Sequence, residues 1–293
     1  MTRSASTTLY IHPASHSPLA LVIRRGPSKW WHFMLWDRDT GIITPGSWFN
    51  GMIYPHRCDL SPRGDWMLIL ALNAMNDPCA WTAICHPPNV KAICFFPQTH
   101  AKSGGGFFDA RQPIVWLNRA ENTAEQQDYC LHGFEIGYQE KNQPAYGTFI
   151  ERLERDGWKQ VGATKKATAE SALLPWVKKS PQKNYELLLH IETLAEHEEF
   201  DELCSEGERV IYSVRAVGSK KAVPINDVQW VNWNKRGELC MSSNGCLYHA
   251  RVENVNEHRR LVVDLNKLTP RIKKEKGING ADIETMEKSE VAG

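Results

Sequence analysis

Four times along the chain a short apolar run stops at a polar turn ending in glycine and then resumes as a second apolar run. The first copy is Phe33–Trp36, Asp37–Gly41, Ile42–Ile43, and the second is Cys58–Leu60, Ser61-Pro62-Arg63-Gly64, Asp65–Leu70. The third is Phe149–Leu153, Glu154–Gly157, Trp158–Val161. The fourth is Val228–Trp233, Asn234–Gly237, Glu238–Met241, which runs at once through Ser242–Gly245 into Cys246–Val252. In each turn an Asp, Asn, Ser or Pro sets the bend and glycine takes the positive-φ position that closes it. Asn244-Gly245 is the strongest hairpin signal. Alternation of Gln229, Val231 and Trp233 against Trp230 and Asn232 argues sheet, not helix. A chain built this way is restricted to small antiparallel ribbons.

Further strands are expected at Leu19–Arg24, Ala80–Cys85, Lys91–Phe96, Pro113–Leu117, Tyr185–Ile191, Arg209–Ala216 and Arg260–Asp264, with His86–Asn89 as a connecting loop. That makes roughly 16 to 20 strands at the close turn spacing of a sandwich, barrel or propeller. Helical signals are confined to Arg119–Leu131, Ala167–Leu174 (stopped by Pro175) and Leu194–Leu203. The 11 Trp and 16 Pro fit many short, well-packed elements. A hydrophobic fraction of 42% and a charged fraction of 24% belong to a globular chain.

Asp59–Trp66, with its Ser-Pro-Arg-Gly turn, resembles the hairpin of β-propeller blades. Trp233–Leu239 and Asn244–Tyr248 resemble two successive hairpins of one blade. The resemblance implies a mostly all-β, irregular β-propeller of about five blades with short helical insertions. Its propeller-like body would span 1–265, with insertions near 119–145 and 164–208, and 266–293 would be a polar, flexible tail. The chain departs from WD-type repeats: it has no Gly-His…Trp-Asp signature, and its units are spaced irregularly, by roughly 25, 90 and 80 residues. Paired β-sandwiches would give similar local signals. The organisation also resembles small accessory subunits of CRISPR operons, including type III-E systems, which implies a role in binding partner proteins in antiviral defence.

Met1–Ala20 lacks the charged and continuously apolar regions of a signal peptide. The longest apolar run, Trp66–Leu72, has seven residues, against the about 20 needed to span a bilayer. The expectation is a cytoplasmic chain with no membrane partner. A net charge of +1 removes the simplest argument for nucleic acid. The eight cysteines show no C-x-x-C spacing and mostly sit in strand-like runs, so they read as small buried hydrophobes with no metal or disulfide role. Charge is nonetheless segregated. Lys165, Lys166, Lys178, Lys179 and Lys183 face Glu170 alone in 164–183, whereas 194–208 holds seven acids and no Lys or Arg.

No catalytic signature emerges. Gly104-Gly105-Gly106 lacks the Gly-Lys-Ser/Thr of a P-loop, no HExxH or Gly-x-Ser-x-Gly occurs, and neighbouring Cys85 and His86 point to opposite faces of a strand. The glycine run reads as close backbone packing or as a loop presenting Phe107 and Phe108. Trp48 and Phe49 follow Pro45-Gly46-Ser47 and read as loop aromatics. Of the consecutive pair Trp30-Trp31, one must face outward. The expected function is a non-catalytic protein-binding scaffold or adaptor without cofactor. Its contacts would be Trp48, Phe49, Phe107, Phe108 and the acidic stretch Glu198, Glu199, Phe200 and Asp201, because aromatics and single-sign clusters anchor and steer partners. The competing readings are a hydrolase-like enzyme with an axial pocket, or an RNA-binding accessory using Lys165, Lys166, Arg271 and Lys273.

Overall fold

The computed structural model describes residues 7–26, 30–72, 80–98, 104–118, 134–139, 147–161, 174–193 and 209–270. Its strands form five sheets in sequence order. Sheet 1 is β1 (Thr8–Pro13), β2 (Leu19–Arg25), β3 (Trp30–Asp37) and β4 (Ile43–Asn50). Sheet 2 is β5 (Met52–Ile53), β6 (Asp59–Leu60), β7 (Met67–Leu72), β8 (Ala80–Cys85) and β9 (Ala92–Gln98), with β5 and β6 both paired to β7. Sheet 3 is β10 (Gly106–Phe108), β11 (Ile114–Leu117) and β12 (Glu135–Tyr138). The helix α1 (Gly147–Arg155) follows. Sheet 4 is β13 (Lys159–Gln160), β14 (Trp176–Lys179), β15 (Tyr185–Thr193), β16 (Arg209–Ala216) and β17 (Val223–Pro224). Sheet 5 is β18 (Trp230–Trp233), β19 (Leu239–Ser243), β20 (Cys246–Ala250) and β21 (Arg259–Asp264). All pairings are antiparallel except β11 with β12, which is parallel. This is a five-bladed propeller arrangement, not a pair of sandwiches.

The turns form for the reasons their residues suggest. Asn244 and Gly245 have φ of 47° and 74°, the two positive values of a type I′ turn, which matches the right-handed twist of β19 and β20. Asn234 Oδ1 accepts from the backbone N–H of Arg236 (3.0 Å) and Glu238 (2.9 Å). Asp37 Oδ1 does the same for Asp39 and Thr40. Ser61 closes its turn through Oγ, which accepts from Trp66 N at 3.0 Å.

The third glycine unit behaves differently. Phe149–Leu153 is helical, not a strand. Gly157 N donates to Glu154 O (3.1 Å) and Trp158 N to Leu153 O (3.0 Å), the paired bonds of a Schellman cap with glycine in the left-handed conformation at φ 87°. A glycine in the left-handed conformation, which closes a hairpin at Gly237 and Gly245, ends a helix here. A further strand, β1, lies where the sequence shows only a polar, proline-bearing start; Pro13 is tolerated as its last residue. Inside the stretches read as insertions, 135–138, 176–179 and 185–193 are strands of sheets 3 and 4. The helix candidates 119–131 and 194–203 lie outside the described residues, as does all but Leu174 of 167–174.

Apolar side chains fill the gaps between sheets. Leu21, Ile23, Phe33, Ile69 and Ala83 join sheets 1 and 2. Leu68, Ile84, Phe108 and Val115 join 2 and 3. Leu187, Leu189, Val231 and Met241 join 4 and 5, with Leu153 of α1 added. Val22, Met34, Trp36, Cys240 and Leu247 join 5 back to 1, which closes the ring. Each sheet consists of consecutive strands, so the ring is latched by side chains. Arg24 donates to the carbonyls of Leu265 (2.7 Å) and Asn266 (3.1 Å), and Arg38 to that of Trp233 (3.2 Å). Residues 266–268 thus belong to the closure, with Leu268 packed on its core. Residues 271–293 lie outside the described part. Among the described residues no helix is long and apolar enough to cross a membrane.

Candidate functional site

Two places gather functional side chains: the middle of the ring, and the outer margin between sheets 1 and 2. At the centre, α1 presents Arg152 and Arg155 three residues apart, hence on one helical face. Arg155 pairs with Asp59 of β6, and their side chains are 4% and 0% exposed. It also donates from Nε to Asp156 (2.9 Å) and from Nη1 to Phe108 O (3.2 Å). Asp59 Oδ2 accepts in addition from Phe108 N at 2.9 Å. Burial works against the Arg155 charge, but Asp156 and Asp59 outweigh it and hold its pKa above the ordinary value. Arg152 donates to His12 Nδ1 (3.0 Å) and to the carbonyls of His56 (2.9 Å) and Cys58. Burial, reinforced by Arg152, His56 and Arg155, keeps the His12 pKa well below its usual value, with the Pro55 carbonyl opposing. Farther along, Lys178 is pushed down to about 8 by burial, aided by Arg38 and Arg155 and opposed by Asp156.

The helix carries these charges because its other face is apolar: Phe149, Ile150 and Leu153 pack on the core between sheets 4 and 5. The arrangement ties α1 to sheets 1, 2 and 3 through charges and hydrogen bonds. Among the described residues no group of three or more His, Cys, Asp or Glu comes together as a metal site. The described cysteines 58, 85, 94, 240 and 246 are buried. Burial raises the Cys85 and Cys240 thiols to about 12, so neither is a thiolate nucleophile at neutral pH.

The second place lies where β4 of sheet 1 meets β8 and β9 of sheet 2. Phe49 on β4 meets Trp81 of β8 edge-on (6.2 Å), and Trp81 stacks on Phe95 of β9 (6.0 Å). Strand β9 alternates, with Cys94, Phe96 and Gln98 buried and Ile93 and Phe95 exposed to 44% and 40%. It ends its sheet, with no further strand beyond it among the described residues.

The residues expected from sequence separate accordingly. Trp48 lies in β4, not in a loop; it stacks on His32 (4.1 Å) with the Arg24 guanidinium 5.7 Å from its ring. Burial, with a smaller push from Arg24 and an opposing hydrogen bond from Gly46, lowers His32 to about 4. Phe49 is half-buried in the aromatic series. Phe107 and Phe108 do not protrude. They form β10, 7% and 0% exposed, and Phe108 packs edge-on against Phe134 (5.6 Å). The glycine run before them is close packing: a Cβ on Gly104 would lie 2.1 Å from Gln98 Oε1, and one on Gly106 2.1 Å from Trp116 O. Glu198, Glu199, Phe200 and Asp201 lie outside the described residues. Sequence reading missed Asp59, Arg152 and Arg155. The one available signal was the i, i+3 spacing of the arginines opposite Phe149 and Leu153 at i, i+4, which needs a helix to have meaning.

No protein family and no curated protein matches the chain. Among solved structures, an uncharacterized protein of Listeria monocytogenes EGD-e aligns at 10% identity over 93% of this chain and 87% of that one, with a TM-score of 0.29. The tricorn protease aligns at 9% identity over 91% of this chain and 36% of its own, with a TM-score of 0.26. The fold therefore rests on the strand pairing itself.

Proposed function

We propose that this chain is a non-catalytic protein-binding propeller whose docking surface is the outer margin between sheets 1 and 2. The observation that carries the proposal is the series Phe49–Trp81–Phe95 beside exposed Ile93. Exposed aromatics supply large contact area at small entropic cost. The alternating face of β9 suits a partner segment that seats apolar side chains against Phe95 and Ile93. Trp48, next to Phe49 on β4, points to the opposite face of sheet 1, where it stacks on His32, and stands outside this surface. The acidic stretch Glu198–Asp201 would select a partner with a basic flank. In its finer form the partner is another product of the same operon, in a CRISPR-type defence complex; that form rests on the resemblance in organisation alone.

The test is affinity capture from the native host with wild type and with Phe95→Asp, both checked for equal melting. The proposal expects a protein retained in stoichiometric amount by wild type and lost with Phe95→Asp. Equal retention by both, or recovery of nucleic acid alone, overturns it.

A further inference from the structure

A cavity of about 230 Å³ lies where sheets 1, 4 and 5 meet, walled by the β1–β2 loop, the turn after β3, strand β14 and the turn after β18. A single water takes about 30 Å³, and pockets for drug-sized ligands begin near about 300 Å³. The space suits a compact polyatomic ion.

Its wall carries positive charge that the chain does not pair. Arg38 is buried and donates to the carbonyls of Pro18 (3.0 Å), Trp233 (3.2 Å), Ala14 (3.2 Å) and Ser17 (3.0 Å). Carbonyl dipoles solvate a guanidinium but leave its charge in place. Lys178 on β14 is held at the cavity by the Trp233 indole, whose N–H donates to the Lys178 carbonyl (3.2 Å). Among the described residues the Lys178 ammonium has no hydrogen bond and no ion pair, and the Trp158 ring centroid lies 6.0 Å from it. Unlike the sealed polar atoms of the interior, this Nζ is open to a water-sized probe. Lys179 and Lys235, both exposed, also line the cavity. Two acids share the wall and both are engaged: Asp156 Oδ1 accepts from Arg155 Nε (2.9 Å) and Asp39 Oδ1 from the Lys235 backbone N–H (3.0 Å). Four cations thus stand against two acids, and the wall is net positive. Burial pushes the Lys178 pKa down to about 8, with Asp156 opposing and Arg38 and Arg155 adding to the fall. The amine therefore keeps its proton at neutral pH and gains from a nearby anion.

We propose that this cavity binds a compact oxyanion of the phosphate class, either free phosphate or the phosphate group of a small ester. Lys178 donates to its oxygens, while Arg38, Lys179 and Lys235 supply the surrounding positive field. An ammonium brings three N–H donors and no acceptor, and its hydrogen bonds to phosphate oxygens are of the strong, charge-assisted kind. The same wall repels a cation. The cavity shares no residue with the Phe49–Trp81–Phe95 surface, so protein docking and anion binding fail or succeed independently.

The test follows the indole N–H resonances of the intact wild-type chain by NMR during titration with inorganic phosphate, glycerol phosphate and methylammonium, at an ionic strength held constant with sodium chloride. Trp233, which lines the cavity, is the reporter, and Trp116, which does not, is the control. At least one of the two phosphates is expected to shift Trp233 saturably and leave Trp116 in place, and the tighter of the two names the source. Lys178→Met, which keeps an unbranched stem and removes the charge, is expected to weaken that ligand by roughly tenfold or more. Lys235→Ala, on an exposed turn, is expected to weaken it by roughly twofold. Saturation of Trp233 by neither phosphate, or by methylammonium, overturns the site. Wild-type affinity in Lys178→Met overturns it as well. If Lys178→Met does not fold, the wild-type titration and Lys235→Ala decide.

Discussion

The joint between sheets 5 and 1 and the joint between sheets 3 and 4 solve the same problem in opposite ways. Sheets 5 and 1 meet face to face, with Val22, Met34, Trp36, Cys240 and Leu247 removed from water and two arginines latching the rim. Between sheets 3 and 4 the polypeptide inserts α1. This helix is apolar toward sheets 4 and 5 but fastened to sheets 2 and 3 by a buried ion pair and its hydrogen bonds. Face-to-face packing is non-directional and tolerant of exchange among apolar residues. A buried ion pair is directional and intolerant of losing one partner. One ring therefore contains tolerant seams and one demanding joint.

The largest effect is expected where that joint is cut. Arg155→Met leaves Asp59 buried without its partner and should cost about 3–5 kcal/mol, read by urea unfolding. At the opposite joint, Leu247→Ala should cost about 2–5 kcal/mol, while Leu247→Met should cost less than about 1.5 kcal/mol. No such conservative exchange is available to Arg155. If Leu247→Met were as damaging as Leu247→Ala, the seams would not be the tolerant kind.

Gly157→Ala should come next, at more than about 1 kcal/mol, because its φ of 87° is one that L-residues resist. The loss should appear first as faster amide exchange in α1, before that in β19 and β20. Acid should then separate the two joints. His32 on sheet 1 has a folded-state pKa near 4, and His12 beside Arg152 is also depressed. Between about 6.5 and 4 the unfolded chain binds more protons than the folded one, so stability falls as pH drops through that window. His32→Phe should flatten part of this fall, and an unchanged profile would mean His32 is not the group titrating. The smallest effect on folding is expected at the outer margin, where Phe95→Ser should stay within about 0.5 kcal/mol while partner capture is lost.

The same contrast explains what could be read in the sequence. Strands at the apolar seams announce themselves locally. Ala80–Cys85 and Arg209–Ala216 are strands over the very bounds expected, and Asn244-Gly245 gives the turn its dihedral demands imply. Phe149–Leu153 misleads because five residues of mixed apolar and charged type followed by Asp-Gly fit both a strand ending in a turn and a helix ending in a Schellman cap. β4 escapes full recognition because Pro45-Gly46 suggests a loop, whereas a register shift between His32 and Met34 lets the strand pass through them. The central charges had least chance of detection: Asp59 and Arg155 are 96 residues apart, and no local pattern links them. The triple glycine illustrates a further limit, since mobility and tight packing both call for glycine and only the neighbouring atoms of Gln98, Arg57 and Trp116 decide.

That an ion pair holds the demanding joint can be settled by a double-mutant cycle on Asp59 and Arg155, using Asp59→Leu, Arg155→Met and both together, with stability read by urea unfolding. Each single change should be strongly destabilising, and the double variant should lose less than the sum of the two, because Asp59 no longer remains as an unpaired charge and only the bond of Arg155 to Asp156 is still lost. Losses that simply add would show that the two side chains act independently and that the joint is held by something else.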